Sequence, residues 1–173
     1  ITSLTFLNFL HADISYETNA RKHFRKEGEK LAKKYDLKII GNGLGQILVD
    51  AKQGTWTLSF TSEKALTLEQ VRPIVADISF TLLHALYHDP IYPEYYKRRR
   101  EEGDPHVPPL NDDEIGFKLA FWDKNVNRPL YPYLAQVRLA DSNIYYYYAN
   151  PKSQALESPT IESLKSLKLP DYK

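Results

Sequence analysis

The sequence contains no cysteine and no methionine. Without cysteine there can be no disulfide framework, no thiolate nucleophile and no cysteine-ligated zinc. The compartment stays open, because a cysteine-free chain suits the cytosol and the periplasm alike. A chain lacking methionine even at position 1 is expected to be a processed or trimmed form. A removed signal peptide is the natural explanation and an expression boundary the alternative. An excess of charge of one sign is also missing: 23 basic residues face 22 acidic ones, for a formal net charge of +1. Duplex-binding domains draw affinity from counterion release and normally carry a basic excess, so nucleic acid is not an expected partner. Long hydrophobic runs are absent too. The stretch Leu4 to Leu10 falls far short of the ~20 residues that span a bilayer, so no transmembrane segment is expected in this chain.

Recognisable chemistry is equally scarce. Gly41, Gly43 and Gly45 follow a G-x-G-x-G spacing and lead into a strand. Dinucleotide binding needs G-x-G-x-x-G opening a helix, so these glycines read as bulges or close packing in a sheet. There is no Walker pattern and no G-x-S-x-G elbow. No cofactor is implied. Asn111-Asp112-Asp113-Glu114, with Asp104 upstream, lacks the spacing of a calcium loop and suits a turn before a strand. The run Lys97-Arg98-Arg99-Arg100 has the charge to meet phosphate or anionic lipid, but Glu101-Glu102 offsets much of that field.

What remains is a globular composition. The 173 residues suit one domain, and a 42% hydrophobic content is enough for a core. A helical pattern runs from Ile14 to Tyr35, with Ala20, Phe24, Leu31 and Tyr35 on one face and basic and acidic residues elsewhere. Leu4, Leu7 and Leu10 suit an earlier start. Leu37 to Ile40 and Gln46 to Val49 read as strands, with a turn over Asp50 to Gly54. Thr55 to Phe60 alternates, placing Trp56, Leu58 and Phe60 on one side. Thr67 and Gln70 have capping-box spacing ahead of a helix whose stripe is Val71, Val75, Ile78, Leu82 and Ala85. Pro73 within it marks a kink or a later start. Asp89-Pro90 ends it. The Pro-rich, charged stretch 90–112 is predicted to be loop, with room for a short helix around Glu94 to Glu101.

Glu114 to Trp122 is predicted to be a strand, and Leu134 to Leu139 and Ile144 to Ala149 a hairpin around Asp141-Ser142-Asn143. The tail 150–173 is predicted to hold a short helix capped by Ser158, with Pro159 first and Ile161, Leu164 and Leu167 inward. The expected fold is a single α+β domain over 1–173. It has two layers: an antiparallel sheet of about five strands with two main helices packed on one face.

Two residue groups stand out as candidate sites. Tyr145-Tyr146-Tyr147-Tyr148 puts alternate rings on opposite sheet faces. One pair can pack on the core while the other, with Tyr131 and Tyr133, offers a sticky patch for a protein partner. Cross-strand aromatic pairing explains the same run without a partner. His84 and His88, four apart on a helix, share a face as a metal site requires, with His106 as a possible third ligand. Ala85, Leu86 and Tyr87 between them supply no zinc-protease base, and surface histidines at a helix terminus explain them equally. With Asp89, the same histidines are the first candidates for acid/base work if the chain is an enzyme of unfamiliar type.

Several features recur in order: a basic helix entering Lys38-Ile39-Ile40-Gly41-Asn42-Gly43-Leu44-Gly45, the strand Leu58-Ser59-Phe60, the helix entry Leu66-Thr67-Leu68-Glu69-Gln70-Val71-Arg72, and Ile115-Gly116-Phe117-Lys118-Leu119-Ala120-Phe121-Trp122-Asp123. In these, from Ala20 to Asn150, the chain resembles a group of uncharacterised secreted or lipoprotein-like proteins of chlamydia-type bacteria. Pro73 and the charged insert from Lys97 to Val107 depart from that pattern. The resemblance implies an exported, periplasmic or envelope-associated location, with the cytoplasm as alternative, and a binding rather than a catalytic role. It assigns no catalytic residue. A non-catalytic protein-binding module is therefore the expected function.

Overall fold

The computed structural model describes residues 2–44, 55–101 and 111–173, with side chains described for 17–42, 55–101 and 111–173. Helix α1 runs unbroken over Thr2–Tyr35. Ala20, Phe24, Leu31 and Ala32 are buried along its inner stripe. Its end is set by Asp36, which takes a left-handed conformation at φ 56°. The Leu37 amide then bonds the Ala32 carbonyl at 2.8 Å. That i to i−5 bond is a Schellman closure, with Asp where Gly is usual.

Six strands form one sheet in sequential order. They are β1 (Lys38–Leu44), β2 (Trp56–Ser62), β3 (Ile115–Phe121), β4 (Gln136–Ala140), β5 (Asn143–Tyr147) and β6 (Thr160–Ser163). The α+β expectation holds, with one more strand than expected. All neighbours are antiparallel except β2 and β3, which run parallel. A parallel pair needs a long crossover. The crossover here contains α2 (Leu68–His88) and α3 (Ile91–Glu101). Gln46 to Val49 and the Asp50–Gly54 turn lie outside the described residues.

Alternation divides the sheet cleanly. Trp56, Leu58 and Phe60 stand beside Ile115, Phe117 and Leu119, then Val137 and Leu139, then Ile144 and Tyr146. All are buried and join the inner residues of the three helices in one core. The opposite face carries Ser59, Lys118, Arg138, Tyr145 and Ile161 in one cross-strand row.

Two stretches differ from expectation. The short helix allowed around Glu94 to Glu101 forms and begins earlier, as α3 over Ile91–Glu101, because Asp89 and Pro90 open it as well as closing α2. The Asp89 carboxylate accepts from the Ile91 amide at 3.0 Å, and Pro90 takes the first-turn position where no N–H is needed. Tyr92, Tyr95 and Tyr96 then face the core. At the C-terminus, β6 replaces the start of the expected helix. Pairing with β5 covers what would otherwise be an open edge, and it turns Ile161 outward. A 3₁₀ turn (Leu164–Leu167) returns Leu164 to the core. Pro73 sits inside α2, which continues through it, and Gln70 accepts from the Thr67 amide at 3.0 Å as its capping-box spacing predicts. Among the described residues no helix is long and apolar enough to cross a membrane.

Gly28 interrupts the α1 stripe for a packing reason. A Cβ there would lie 2.9 and 3.0 Å from the Leu58 methyls and 3.3 Å from Ile39 Cδ1, closer than carbon atoms pack. Replacing Gly in a helix by Ala normally gains about 1 kcal/mol, whereas overpacking a core costs about 1–3 kcal/mol. Leu58 is fully buried and has no solvent to move into. Gly28→Ala is therefore expected to lower the unfolding free energy by about 1 kcal/mol in urea denaturation. A variant as stable as the parent would show that Leu58 can turn aside.

Candidate functional site

The hairpin that carries the tyrosine run is set by its turn. Asp141 and Ser142 both adopt positive φ, at 48° and 57°, as a two-residue primed turn demands. The resulting register pairs Val137 with Tyr146, Arg138 with Tyr145 and Gln136 with Tyr147. Tyr146 is thereby buried in the core, and its hydroxyl donates to Glu162 at 3.1 Å. Tyr145 and Tyr147 stand half-buried on the opposite face. The Arg138 guanidinium lies 5.6 Å from the Tyr145 ring centre.

Tyr148 follows the end of β5 and meets Tyr131, with ring centres 5.6 Å apart. Tyr131 is 79% exposed, Tyr133 and Leu130 41% each, and Val126 73%. The six candidate tyrosines thus fall into three places. Tyr146 belongs to the core, Tyr145 and Tyr147 to the outer sheet face, and Tyr131, Tyr133 and Tyr148 to the region beside the start of α2, where the rings of Tyr131 and Tyr148 meet. Tyr133 is tied there by a bridge to Thr67.

The segment that presents Tyr131 and Tyr133 is braced by polar contacts. The Asp123 carboxylate accepts from the amides of Asn125 and Asn127, each at 2.8 Å. Those amides, with Asn127 first, hold it below the ordinary carboxylate range. Arg128 lies 5.2 Å from the Trp122 ring centre and donates to the Gln154 carbonyl, while its own amide donates to the Gln154 side chain at 2.8 Å. The Tyr131–Pro132 peptide is cis. Leu130 had no signal in its own spacing. Its exposure follows from the Pro-flanked segment Pro129 to Pro132 leaving the sheet.

The histidines occupy another place. His84 and His88 are exposed on α2, with ring centres 4.4 Å apart. They line a cleft of about 520 Å³ together with His23, Glu27 and Lys30 from α1, and with Phe80, Thr81 and Asp89. His23 Nε2 lies 2.6 Å from the Asp89 carboxylate. Sequence reasoning missed His23, because nothing local links it to a residue 66 positions later in the chain. His106 lies outside the described residues. Among the described residues no group of three His, Asp or Glu side chains is placed to hold a metal ion.

Most of the remaining charged candidates that are described have partners within the fold, while Arg100 is exposed on α3. Asp112 accepts from the hydroxyls of Tyr87 and Tyr172 at 2.9 and 2.8 Å. Asp113 accepts from Ser142 at 2.6 Å, and Glu114 from Tyr96 at 2.9 Å. The acidic cluster forms a 3₁₀ turn capped by Asn111, in keeping with the turn reading. Asp104 lies outside the described residues. On α3, Arg98 pairs with Glu94 at 2.9 Å, Lys97 approaches Glu101 at 3.9 Å, and Arg99 donates to Tyr95 at 2.8 Å. A second cleft of about 600 Å³ lies past the ends of β2 and β3. There Lys38 pairs with Glu63 at 2.6 Å and Lys64 with Asp36 at 2.9 Å.

Compared with family models, with curated proteins and with solved structures, the chain matches none.

Glu162 explains why Tyr146 is structural. Burial pushes its carboxyl up, but donors from Ser166, Arg72 and Tyr146 outweigh burial and leave it below the ordinary carboxylate range. A group whose value falls on folding adds stability above its unfolded value and loses it as pH drops through the folded one. Hydrogen bonds to a charged group contribute about 1.5–3 kcal/mol, and Arg72 stands half in solvent, which reduces its share. Glu162→Gln is expected to cost about 1 kcal/mol at pH 7. The difference should shrink below about pH 4 as the parent protonates. Urea melts of both proteins at the two pH values measure it, and an undiminished gap in acid would mean the carboxylate charge is not what matters.

Proposed function

We propose that the chain is a non-catalytic protein-binding module. In this reading the partner-facing surface is formed by Leu130, Tyr131, Tyr133 and Tyr148. The observation that carries it is Tyr131, a residue 79% exposed whose ring meets that of a second tyrosine. A ring left in water gives up its burial energy in the free protein and recovers it against a partner. Clustered exposed aromatics beside apolar side chains are the composition that interface centres favour. The polar bracing beneath them supports the reading, since a held loop loses less entropy on binding.

Acid/base chemistry at Asp89 has less support. One carboxylate oxygen caps α3 and the other holds His23, so the group is committed to joining helices. An exported or envelope-associated location accords with a binding role and rests on the resemblance of the ordered segments from Ala20 to Asn150.

A photo-crosslinking residue at position 131 tests the proposal in cells that produce the chain. A discrete heteromeric adduct is expected. It should disappear when Tyr133 and Leu130 are both changed to Ser, and it should not form with the crosslinker at exposed Lys22. No adduct at 131, or the same adduct from Lys22, would refute a binding surface at this place.

A further inference from the structure

We propose that His84 and His88 form an open chelate for a divalent transition-metal ion of the Cu²⁺, Ni²⁺ or Zn²⁺ type. The two residues lie one turn apart on the exposed face of α2, near its C-terminal end, and both rings border the cleft between α1 and α2. Their centres are 4.4 Å apart and the ring planes are tilted by 37°. With metal–nitrogen bonds of about 2.0–2.1 Å and tetrahedral or square-planar angles, two ligating imidazoles have centres about 4.5–5.2 Å apart. To hold an ion the rings need to separate by less than about 1 Å and turn a nitrogen of each toward a common point, a rotamer adjustment open to exposed side chains without disturbing the core.

The surroundings favour a cation. The cleft's fixed charges are Glu27 and Asp89 against Lys30, a net of one negative when the histidines are neutral. Lys30 is drawn to Glu27 at 2.5 Å. His23 is held by Asp89, whereas His84 and His88 have no hydrogen-bond partner among the described residues. Their ring nitrogens are therefore the ones available to a ligand. Imidazole suits copper, nickel and zinc, and among first-row divalent ions Cu²⁺ binds such donors most tightly. Because no third His, Asp or Glu of the described residues closes the site, the ion keeps positions for water or for an outside ligand. Such a site exchanges its ion and loses it in acid, as protons compete for the imidazoles.

Cu²⁺ titration of tag-free protein at pH 7.4, followed by calorimetry and electron paramagnetic resonance, tests this. One tight equivalent is expected, with a tetragonal spectrum coupled to two nitrogens. His84→Ala and His88→Ala should each weaken binding roughly tenfold or more, as a chelate reduced to one arm. His23→Ala should leave it within about twofold, since His23 is no ligand in this geometry. Zn²⁺ should displace the Cu²⁺ only in large excess, in line with the affinity order. Both α2 histidines are exposed, so circular dichroism should report unchanged folding in these variants. Tight binding that persists in the His84→Ala/His88→Ala protein would place the ion elsewhere and overturn the proposal. So would a spectrum with a single coupled nitrogen, or the absence of tight binding.

Discussion

The indole of Trp56 is where the layers of this protein are joined. It is the first residue of β2 and is fully buried. Its ring meets Phe24 of α1 with centres 5.7 Å apart, and Tyr92 and Tyr95 of α3 at 5.4 Å each. Apolar contact alone would leave its N–H unpaired, at a cost comparable to a lost hydrogen bond. That N–H donates to Tyr96 at 3.0 Å, and the Tyr96 hydroxyl donates to Glu114 at 2.9 Å. Burial first, and the neighbouring carboxylate second, push the Tyr96 hydroxyl far up, so it stays a donor at any working pH. The chain of bonds reaches the residue before β3, whose Ile115 sits beside Trp56 in the parallel pair. One side chain thus sets the position of α1, of α3 and of the return into the sheet.

This arrangement explains the one parallel pair. A two-helix crossover between β2 and β3 lets α3 place three tyrosines over the Trp56 end of the sheet, which a tight hairpin could not do. Asp89 is the hinge of that crossover. Its carboxylate caps α3 with one oxygen and holds His23 of α1 with the other. The cleft that contains His84 and His88 is therefore a by-product of how three helices meet, and its walls belong to the structural skeleton. The proposed metal chelate uses two exposed residues of that cleft that make no hydrogen bond among the described residues.

Much of this was legible in the sequence where one residue type has one physical use. The alternation of Trp56, Leu58 and Phe60, the Thr67–Gln70 cap and the Asp141-Ser142 turn are local signals, and the strand, helix and hairpin that these three announce formed. The misses arise where a residue serves two elements or where distant segments decide. Asp89-Pro90 is at once a helix stop and an N-cap followed by a first-turn proline, and reading only the stop hid where α3 begins. Ser158-Pro159 is a good helix start taken alone, but the unpaired edge of β5 was the stronger demand, and it came from the fold. The strand direction of β3 depends on the length of the crossover, to which no periodicity in β3 itself is sensitive. His23 reaches Asp89 only through the packing of α1 on the α2–α3 corner.

The same distinction separates Tyr146 from Tyr131. Tyr146 is committed: the register of β5 buries its ring, and Glu162 takes its hydroxyl. Tyr131 is left over, in a segment whose shape is maintained by Asp123, Arg128 and Gln154 through backbone and guanidinium contacts that involve no tyrosine. Because the bracing is polar and the exposed rings play no part in it, the surface chemistry of this segment can change without a folding penalty. A fold that needed Tyr131 for stability would have covered it, as it covers Tyr92, Tyr95 and Tyr96 within the same core. Exposure maintained by an independent scaffold is what a recognition surface requires, and it is the physical basis on which the binding role is proposed.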